Sequence, residues 1–251
     1  MAPALFMALF AGLLVGSFLT VVAYRVPRGE SIVGPRSRCT TCGAQIAAYD
    51  NVPIFSWAVL RGRSRCCDDP ISIRYPLTEL ALGVLYVVTV AVLWGEPTEV
   101  ALGLVFVTVL LAITLTDLER RVIPNSILLA ATIAAVAIVA IGDPSSFPER
   151  AIAAAASGGG FLLVALAYPR GMGLGDVKLA AVMGLYLGRN VAPAILVALI
   201  AGSAVGLFLI ARQGTAARKR AIPFGPFLAL GGVVGLLAGD QLVDLYLSTF
   251  S

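Results

Sequence analysis

The sequence of 251 residues contains no histidine. This absence excludes a Ser-His-Asp hydrolase, a catalytic zinc ion held by His and a haem with a His ligand. Charged residues are also scarce, at 13% of the chain, whereas 59% of the residues are apolar and the mean hydropathy is +0.94. Such a composition excludes a disordered chain and argues against a soluble globule. Acid–base chemistry in this protein must therefore rely mainly on carboxylates.

Long segments without Asp, Glu, Lys or Arg alternate with short polar loops, and each is near the roughly 20 residues that cross a bilayer. They cover residues 1–24, 80–95, 100–116, 122–142, 151–169, 190–211 and 221–239. A shorter apolar segment, 179–188, gives an eighth crossing in the interpretation we prefer, and seven crossings remain without it. The sequence therefore predicts an all-α polytopic membrane protein, a bundle of about eight transmembrane helices.

The basic residues orient these helices. No basic residue precedes the first apolar segment and several arginines follow it, which predicts a retained helix rather than a cleaved signal peptide. With the N-terminus outside, 16 of the 18 Lys and Arg residues lie on the inner side, and only Arg150 and Arg189 lie outside. This asymmetry follows the positive-inside rule. The net charge of +4 thus favours contact with anionic lipid in the bilayer over binding of nucleic acid.

One long polar loop, residues 25–75, separates the first helix, 1–24, from a multi-helix membrane domain, 76–251. All four cysteines lie in this loop, as a C-x-x-C pair at Cys39 and Cys42 and as the adjacent Cys66 and Cys67. Two thiolate pairs on turns suit a tetrahedral Zn²⁺ ion, which would stabilise a loop too small for its own core. A disulfide is disfavoured on a cytoplasmic face.

The second cysteine pair is irregular, because a regular C-x-x-C would need a cysteine at Ser64. Neighbouring side chains of an extended segment point in opposite directions, so Cys66 and Cys67 are not expected to bind one ion together. We expect Cys39, Cys42 and Cys67 as ligands, with Cys66 as the weaker candidate. A metal-free loop with four thiols is the alternative.

Two aspartates differ from the other acidic residues by lying at the predicted inner ends of helices. Asp117 follows the apolar segment 100–116, and Asp176 lies in Gly-Leu-Gly-Asp-Val-Lys, residues 173–178. An ionisable residue at membrane depth is costly and indicates function. Two adjacent carboxylates can share a proton, so that one activates a water while the other donates to a carbonyl oxygen. The sequence thus predicts a pair able to hydrolyse a peptide bond without His, Ser or metal.

The glycines before Asp176 are Gly171, Gly173 and Gly175. We expect them to permit a non-helical backbone that approaches a substrate closely. An ordinary turn with a capping Asp176 is the structural alternative. A dinucleotide-binding loop is disfavoured, because no strand precedes the segment and its third glycine is missing.

These motifs resemble the type IV prepilin peptidases, the bacterial branch of the GxGD membrane aspartyl proteases. The segment 173–179 is similar to the family's G-x-G-D-x-K signature, and Asp117 with Pro124 and Asn125 is similar to its first catalytic segment. The resemblance extends in order over residues 12–190. Its N-terminal motifs are 16–27 (GSFLTVVAYRVP), 50–57 (DNVPIFSW), 61–63 (RGR) and 71–79 (ISIRYPLTE).

The resemblance implies an aspartyl endopeptidase that removes the leader of prepilins or pseudopilins, for a type IV pilus or type II secretion system, at the cytoplasmic face of the bacterial inner membrane. It implies Asp117 and Asp176 as the catalytic pair, with Gly173, Gly175, Lys178 and Glu79 as substrate or supporting residues. Glu79 and Lys178 also have ordinary electrostatic and snorkelling explanations.

Full-length members of this family also methylate the new N-terminus with S-adenosylmethionine. The resemblance associates the cysteine loop with zinc and with this second activity, although no pattern in the sequence indicates a methyl-donor site. Ser64 departs from the family at the fourth cysteine position. The zinc site and the methyltransferase activity therefore depend on whether the other cysteines suffice.

Two further classes of function fit the same composition. A small transporter would use the two aspartates as ion ligands, but it should carry them near the middle of the membrane and show inverted repeats. A non-catalytic assembly subunit of a pilus or secretion machine would bind pilin helices without needing either acid.

Overall fold

The computed structural model describes residues 1–34, 37–39, 41–169, 172–213 and 223–250. In these ranges the chain is helical, and pairing of extended segments is limited to the isolated bridges between Arg38 and Gln45 and between Arg63 and Pro70. The α-helices are α1 (Ala2–Arg25), α2 (Phe55–Val59), α3 (Arg74–Val92), α4 (Pro97–Arg120), α5 (Asn125–Gly142), α6 (Phe147–Ala167), α7 (Leu174–Leu187), α8 (Val191–Gln213) and α9 (Gly225–Phe250). The all-α prediction is confirmed.

Seven segments of the described chain are long and apolar enough to cross a membrane. They are Ala2–Arg28, Arg74–Val92, Pro97–Arg120, Asn125–Gly142, Pro144–Ala167, Leu174–Gln213 and Gly225–Thr249. The sixth segment has 40 residues and contains two helices, α7 and α8, which are separated by a single 3₁₀ turn at Gly188–Asn190. The protein is a multi-pass membrane protein.

The directions of α7 and α8 follow from their neighbours. The start of α7 lies next to Ile123, which follows α4, and the ring of Tyr186 near its end stacks on Phe106 at 4.9 Å. Helix α7 is therefore antiparallel to α4. Helix α9 is also antiparallel to α4. Helix α8 is antiparallel to α9, since Gly231 contacts Ala198 and Phe224 contacts Gly202. Helices α7 and α8 thus run in opposite directions, in agreement with the preferred eight long helices.

The chain divides into two compact units, Met1–Trp94 and Gly95–Ser251. This division falls after α3, whereas the boundary predicted from the sequence falls after residue 75. In the first unit α1 and α3 are antiparallel, and their backbones touch at glycines. A Cβ atom on Gly12 would lie 2.7 Å from the Cα of Gly83, and one on Gly16 would lie 2.8 Å from the Cα of Glu79. Small residues allow this close contact between membrane helices.

The second unit packs α4 to α9 around a continuous apolar core. Its fully buried side chains include Phe106, Ile113, Leu179 and Met183. The hydroxyl of Tyr186 donates to the carbonyl oxygen of Ala131 at 2.7 Å, so the one polar group of this aromatic side chain is satisfied within the core. This core holds the ends of α4, α7 and α9 in place.

The basic residues predicted outside lie together at one end of the second unit. Arg150 is buried, pairs with Glu99 near the start of α4 and donates to the carbonyl oxygen of Tyr186 at 2.6 Å. Arg189 pairs with Asp240 at 2.9 Å. Asp117, near the C-terminal end of α4, lies at the opposite end of this helix.

Candidate functional site

Asp117 lies in the last turn of α4 and is only 6% exposed. Its Oδ2 atom accepts a hydrogen bond of 2.9 Å from the backbone N–H of Gly225, the first residue of α9. A Cβ atom on Gly225 would lie 2.7 Å from this oxygen, so only glycine allows the approach. The N-terminus of a helix favours a negative charge through its dipole. Helix α9 therefore holds the Asp117 side chain in one place.

Gly225 is not among the site residues predicted from the sequence. The available signal was Pro-Phe-Gly-Pro at residues 223–226, because proline in the first turn marks a helix start. What the motif does not reveal is that this helix start meets a carboxylate 108 residues earlier in the chain.

Asp176 is the third residue of α7 and is half-buried. Its backbone N–H donates to the carbonyl oxygen of Gly173 at 3.1 Å, which closes the first turn. Gly175, the residue before Asp176, lies against Ile123, which follows Asp117 in the segment after α4. The structure thus brings the two predicted aspartates to the same end of the second unit.

The glycines near Asp176 have different roles. Gly173 is extended, with φ −82° and ψ 147°, as predicted for a non-helical residue at this point. For Gly175 the prediction is wrong, because this residue already belongs to α7. A Cβ atom there would lie 3.0 Å from the Cβ of Ile123, so the small size of Gly175 lets α7 pack against the segment after α4. Gly171 lies outside the described residues.

Lys178 is exposed, and its Nζ donates to Oδ1 of Asn125 at 2.9 Å. Asn125 begins α5 and follows the turn that leaves α4 at Arg121, which has a left-handed φ of 55°. The hydrogen bond therefore connects the second turn of α7 with the segment that follows Asp117. It relates two motifs that are more than 50 residues apart in the sequence.

The interpretation of Asp176 as a structural residue explains part of the geometry, since an acidic side chain in the first turn of a helix is favourable. It does not explain why a second carboxylate, that of Asp117, is buried at the same end of the second unit. The dinucleotide alternative finds no support in the described residues, where no strand precedes α7. Two carboxylates on converging helix ends can activate a water molecule and protonate a carbonyl oxygen.

Glu79 lies in the first unit, in the second turn of α3, and is 7% exposed. Its Oε2 atom accepts a hydrogen bond of 2.6 Å from the backbone N–H of Ile54. Ile54 has a φ of 60°, which is a strained conformation for a β-branched residue. Neither the burial of Glu79 nor its link to Ile54 was expected from the sequence.

The four cysteines also lie together, with all their sulfur atoms within 4.8 Å of one another. The sulfur of Cys39 is 3.6 Å from that of Cys67, Cys42 is 3.3 Å from Cys66, and Cys66 is 3.9 Å from Cys67. Four thiolates that bind one Zn²⁺ ion at about 2.3 Å in a tetrahedron are about 3.8 Å apart. The cysteines therefore fit a zinc ion.

Two similar turns carry these cysteines, 25 residues apart. In the first turn Cys39 N–H donates to Ala44 O, and in the second Ser64 N–H donates to Asp69 O, both at 2.8 Å. The bridge between Arg38 and Gln45 has its counterpart between Arg63 and Pro70. Positive φ values occur at Gly43 and at the corresponding Asp68. This repeat places Ser64 at the position equivalent to Cys39, and Cys67 at the position equivalent to Cys42.

The expected divergence of Cys66 and Cys67 does not occur, because residues 65–67 form a turn rather than an extended segment. Cys66 thereby reaches the other thiols, while the Ser64 hydroxyl lies 3.2 Å from the sulfur of Cys67. Backbone N–H groups of Cys42 and Thr41 lower the pKa of Cys39 to about 6, which favours the thiolate that binds metals. A hydrogen bond with Cys42 is the main cause that raises the pKa of Cys66 to about 12.

Comparison with known proteins matches this architecture over both units. The profile of the type IV leader peptidase family matches residues 104–210, which contain both aspartates. A second profile, the bacterial peptidase A24 N-terminal domain, matches residues 10–93. The chain belongs to the type IV leader peptidase family. This membership confirms the predicted protease class, and the transporter and the non-catalytic subunit are not favoured.

Several curated relatives are named prepilin leader peptidase/N-methyltransferase. The protein from Pseudomonas putida is 34% identical over 96% of this chain and 94% of its own length. The protein from Aeromonas hydrophila is 33% identical over 95% and 92%, and that from Myxococcus xanthus is 36% identical over 85% and 67%. No solved structure matches this chain.

Proposed function

We propose that this family member is a prepilin leader peptidase in which Asp117 and Asp176 perform the hydrolysis. The observation that supports the proposal is that the start of α7, which carries Asp176, packs beside the segment after α4, whose last turn carries Asp117, and that Asp117 is bonded to the start of α9. Their roles are assigned to the pair and not to either residue, since coupled carboxylates share their protons.

In the hydrolysis, one ionised carboxylate removes a proton from a water molecule, whose oxygen attacks the carbonyl carbon of the scissile peptide bond. The protonated partner donates its proton to the carbonyl oxygen. The tetrahedral intermediate then collapses: one of its two hydroxyl groups returns a proton to the carboxylate that had donated one, the C–N bond breaks, and the leaving nitrogen takes the proton that was removed from the water. One carboxylic acid and one carboxylate remain, so the pair is ready for another cycle.

The proposed substrates are the precursors of type IV pilins or of pseudopilins, which the names of the relatives indicate. We place the enzyme in the bacterial inner membrane, with its N-terminus outside and both aspartates at the cytoplasmic face. The distribution of Lys and Arg supports this orientation, because Arg120, Arg121 and Lys178 accompany the aspartates, whereas Arg150 and Arg189 lie at the other end.

A structural zinc ion belongs to this proposal, with Cys39, Cys42, Cys66 and Cys67 as its ligands. The distances between the sulfur atoms support this set, and it extends the three ligands expected from the sequence by Cys66. When bound, the ion supplies folding energy to the loop. The domain roles proposed from the sequence are a first helix at 1–24, a cysteine loop at 25–75 and a membrane peptidase domain at 76–251, and the compact units differ from them by grouping α3 with the first helix and the loop.

The proposal also includes N-methylation of the new N-terminus with S-adenosylmethionine. The names of the relatives support it. The hydrolysis described above uses no methyl donor, so this reaction needs a site for the donor in addition to the two aspartates.

The test of the hydrolytic pair uses the full chain in detergent and a prepilin, with leader removal followed by mass spectrometry. Asp117→Asn and Asp176→Asn should each lower the cleavage rate about 10³-fold, because each removes one partner of the acid–base pair. Asp244→Asn changes an exposed carboxylate of α9 in the same way and serves as the matched control. Cleavage retained within about tenfold in either variant, with unchanged helicity, would refute the pair.

A further inference from the structure

The two aspartates of the second unit are held in place by different means. The Asp117 carboxylate accepts a hydrogen bond from the backbone N–H of Gly225, at the start of another helix. In the described part of the chain, no other helix donates a hydrogen bond to the Asp176 carboxylate. Where this carboxylate lies therefore depends on where α7 lies as a whole.

Helix α7 has 14 residues, and most of its contacts are with apolar side chains of the core. Apolar burial is non-directional, so it resists separation of the helices better than it defines their displacement along the helix axis. Hydrogen bonds define this displacement, because they require a short distance and a particular angle. One such bond reaches the middle of α7, where the Ser157 hydroxyl of α6 donates to the carbonyl oxygen of Ala180 at 2.8 Å.

The C-terminal end of α7 is held by Arg150, which lies in the first turn of α6 and is 7% exposed. Its Nη1 donates to the carbonyl oxygen of Tyr186 at 2.6 Å and to that of Leu185 at 3.4 Å. Both carbonyl groups belong to the last turn of α7, where a helix leaves its own acceptors without a partner. The guanidinium also pairs with Glu99 near the start of α4, and its Nε donates to Oγ of Ser146 at 3.1 Å. One side chain thus joins the end of α7 to the start of α4.

The stability of the fold does not by itself account for this arrangement. A buried ion pair adds little net stability, because the cost of removing both charges from water is close to their attraction. An arginine buried in a membrane-spanning segment is also rare and indicates function. The hydrolysis uses neither Arg150 nor Glu99, which lies at the opposite end of α4 from Asp117. What the bonds of Arg150 specify is how far α7 stands along α4.

Tyr186 continues this alignment into the core. Its ring stacks on Phe106 of α4 at 4.9 Å, and its hydroxyl donates to the carbonyl oxygen of Ala131 in α5. Asp176 precedes Tyr186 by 10 residues, and Asp117 follows Phe106 by 11 residues. At a rise of 1.5 Å per residue, these intervals are about 15 Å and about 17 Å. Because α4 and α7 are antiparallel, the nearly equal intervals bring both aspartates to about the same height.

We propose that Arg150 is a positioning residue for Asp176. By binding the last turn of α7 and the Glu99 side chain of α4, it fixes the height of α7 and thereby that of the Asp176 carboxylate. The inference rests on the hydrolytic pair of the proposed function. A helix is a rigid element, so a displacement of its outer end is transmitted to its inner end. A shift of about 1 Å can lower a rate about 100-fold, and a shift of half that size about tenfold.

The test compares the removal of one charge with the removal of both. Arg150→Met leaves Glu99 buried without a cation, so it should lower both the thermal midpoint and leader cleavage. Arg150→Met combined with Glu99→Gln removes both charges, and its thermal midpoint should stay within about 5 °C of the wild type. Its kcat for leader cleavage should still fall about tenfold, because the bonds to α7 are absent. Its KM should stay within about twofold, since the aspartates and their substrate lie at the other end of α7.

Arg189→Met is the matched control for these variants. Arg189 lies at the same end of the second unit, but its pair with Asp240 is exposed, so kcat should stay within about twofold. A wild-type kcat in the double variant would overturn the proposal, because Arg150 would then only compensate the charge of Glu99. Unfolding of the double variant would also overturn it, because the pair would then serve stability.

Hydrogen exchange of the full chain in detergent, measured by mass spectrometry without substrate, gives a readout that does not depend on activity. In the double variant, the amides of residues 174–180 should exchange about tenfold faster, although the substitutions lie at the other end of α7. The amides of residues 225–232, at the start of α9, should keep their rates.

The two readouts separate this inference from the proposed function. Exchange that is unchanged at residues 174–180, or faster only at residues 183–190, would overturn the role of Arg150 and leave the hydrolytic pair intact. Leader cleavage retained in Asp176→Asn would refute the pair, whereas the exchange measurement would still show whether Arg150 holds α7.

Discussion

The two units position their polar groups by different means. In the second unit, Asp117 and Asp176 stand on the ends of long helices, and the packing of α4, α7 and α9 determines where their carboxyl groups lie. In the first unit, the polar segment between α1 and α3 has almost no core. Ser56 is the only buried residue in the described part of 25–75.

The difference shows what each site needs for its stability. A helix end in an apolar bundle is held by the burial of many side chains, so a single contact such as that at Gly225 adjusts a position that is already determined. A loop without a core needs cross-links, and here they are the turns at 37–46 and 62–71 and the cluster of four thiols. We therefore expect substitutions at the helix ends to affect rate, and substitutions at the thiols to affect folding of the loop.

Outside the two aspartates, the largest effect is expected where a helix start touches the carboxylate. Gly225→Ala would place a Cβ atom 2.7 Å from Oδ2 of Asp117 and displace the side chain. Since a shift of about 1 Å can lower a rate about 100-fold, we expect a loss of that size in leader cleavage, measured by mass spectrometry. Gly206→Ala in α8 is the control, because no atom lies within 4 Å of a Cβ built there. Equal cleavage rates for both variants would show that helix packing does not position Asp117.

An intermediate effect is expected at the thiols. Cys66→Ser should weaken zinc binding about tenfold or more, because one of four ligands is lost, and zinc content can be measured by mass spectrometry of metals. Trypsin should then cleave faster after Arg61, Arg63 or Arg65, in the loop that the ion stabilises.

Ser64→Ala is the matched control for the thiols, since the Ser64 hydroxyl accepts a hydrogen bond of 3.1 Å from the Asp69 N–H and the usual protein ligands of zinc are Cys, His and carboxylates. A zinc content unchanged in Cys66→Ser would return the ligand set to the three cysteines expected from the sequence. Cys66 would then not count among the cross-links that stabilise the loop of the first unit.

The smallest effect is expected at the hydrogen bond between Lys178 and Asn125. This bond is exposed, and Lys178→Met should cost about 1 kcal/mol and lower leader cleavage only a few-fold. Asn125→Ala should have a similar effect, and the double variant should be no worse than either single one, because both remove the same contact. Additive losses in kcat/KM would show that Lys178 acts separately from Asn125, for example on the substrate.

The sequence predicted the helices well because hydropathy is a local property. Every long apolar segment became part of a helix, and the short segment at 179–188 lies mostly within α7. The two aspartates could also be predicted to share one end, since the alternation of crossings places 117 and 176 on the same side of a membrane. The number of crossings needed the packing of α7 and α8, because a single 3₁₀ turn joins them without a polar loop.

The predictions failed where contacts depend on a particular backbone shape. Cys66 was expected to point away because an extended strand alternates its side chains, but the chain turns at 65–67. Gly175 was expected to be non-helical, yet its role is to let Ile123 approach. The hydrogen-bond partner of Glu79 is the backbone N–H of Ile54. Ile54 has a positive φ, which an isoleucine in the sequence does not predict.

The sequence by itself thus determined a membrane-embedded helical chain with two carboxylates on one side and four thiols in one loop, because apolar length, charge and residue type can be read at each position. Only the tertiary structure decided that Gly225 bonds Asp117, that Cys66 joins the other thiols, and that Glu79 faces a cavity beside Trp57. These contacts join segments that are far apart in the chain, and their formation depends on how closely helices and turns can approach, which is a property of the packed backbone.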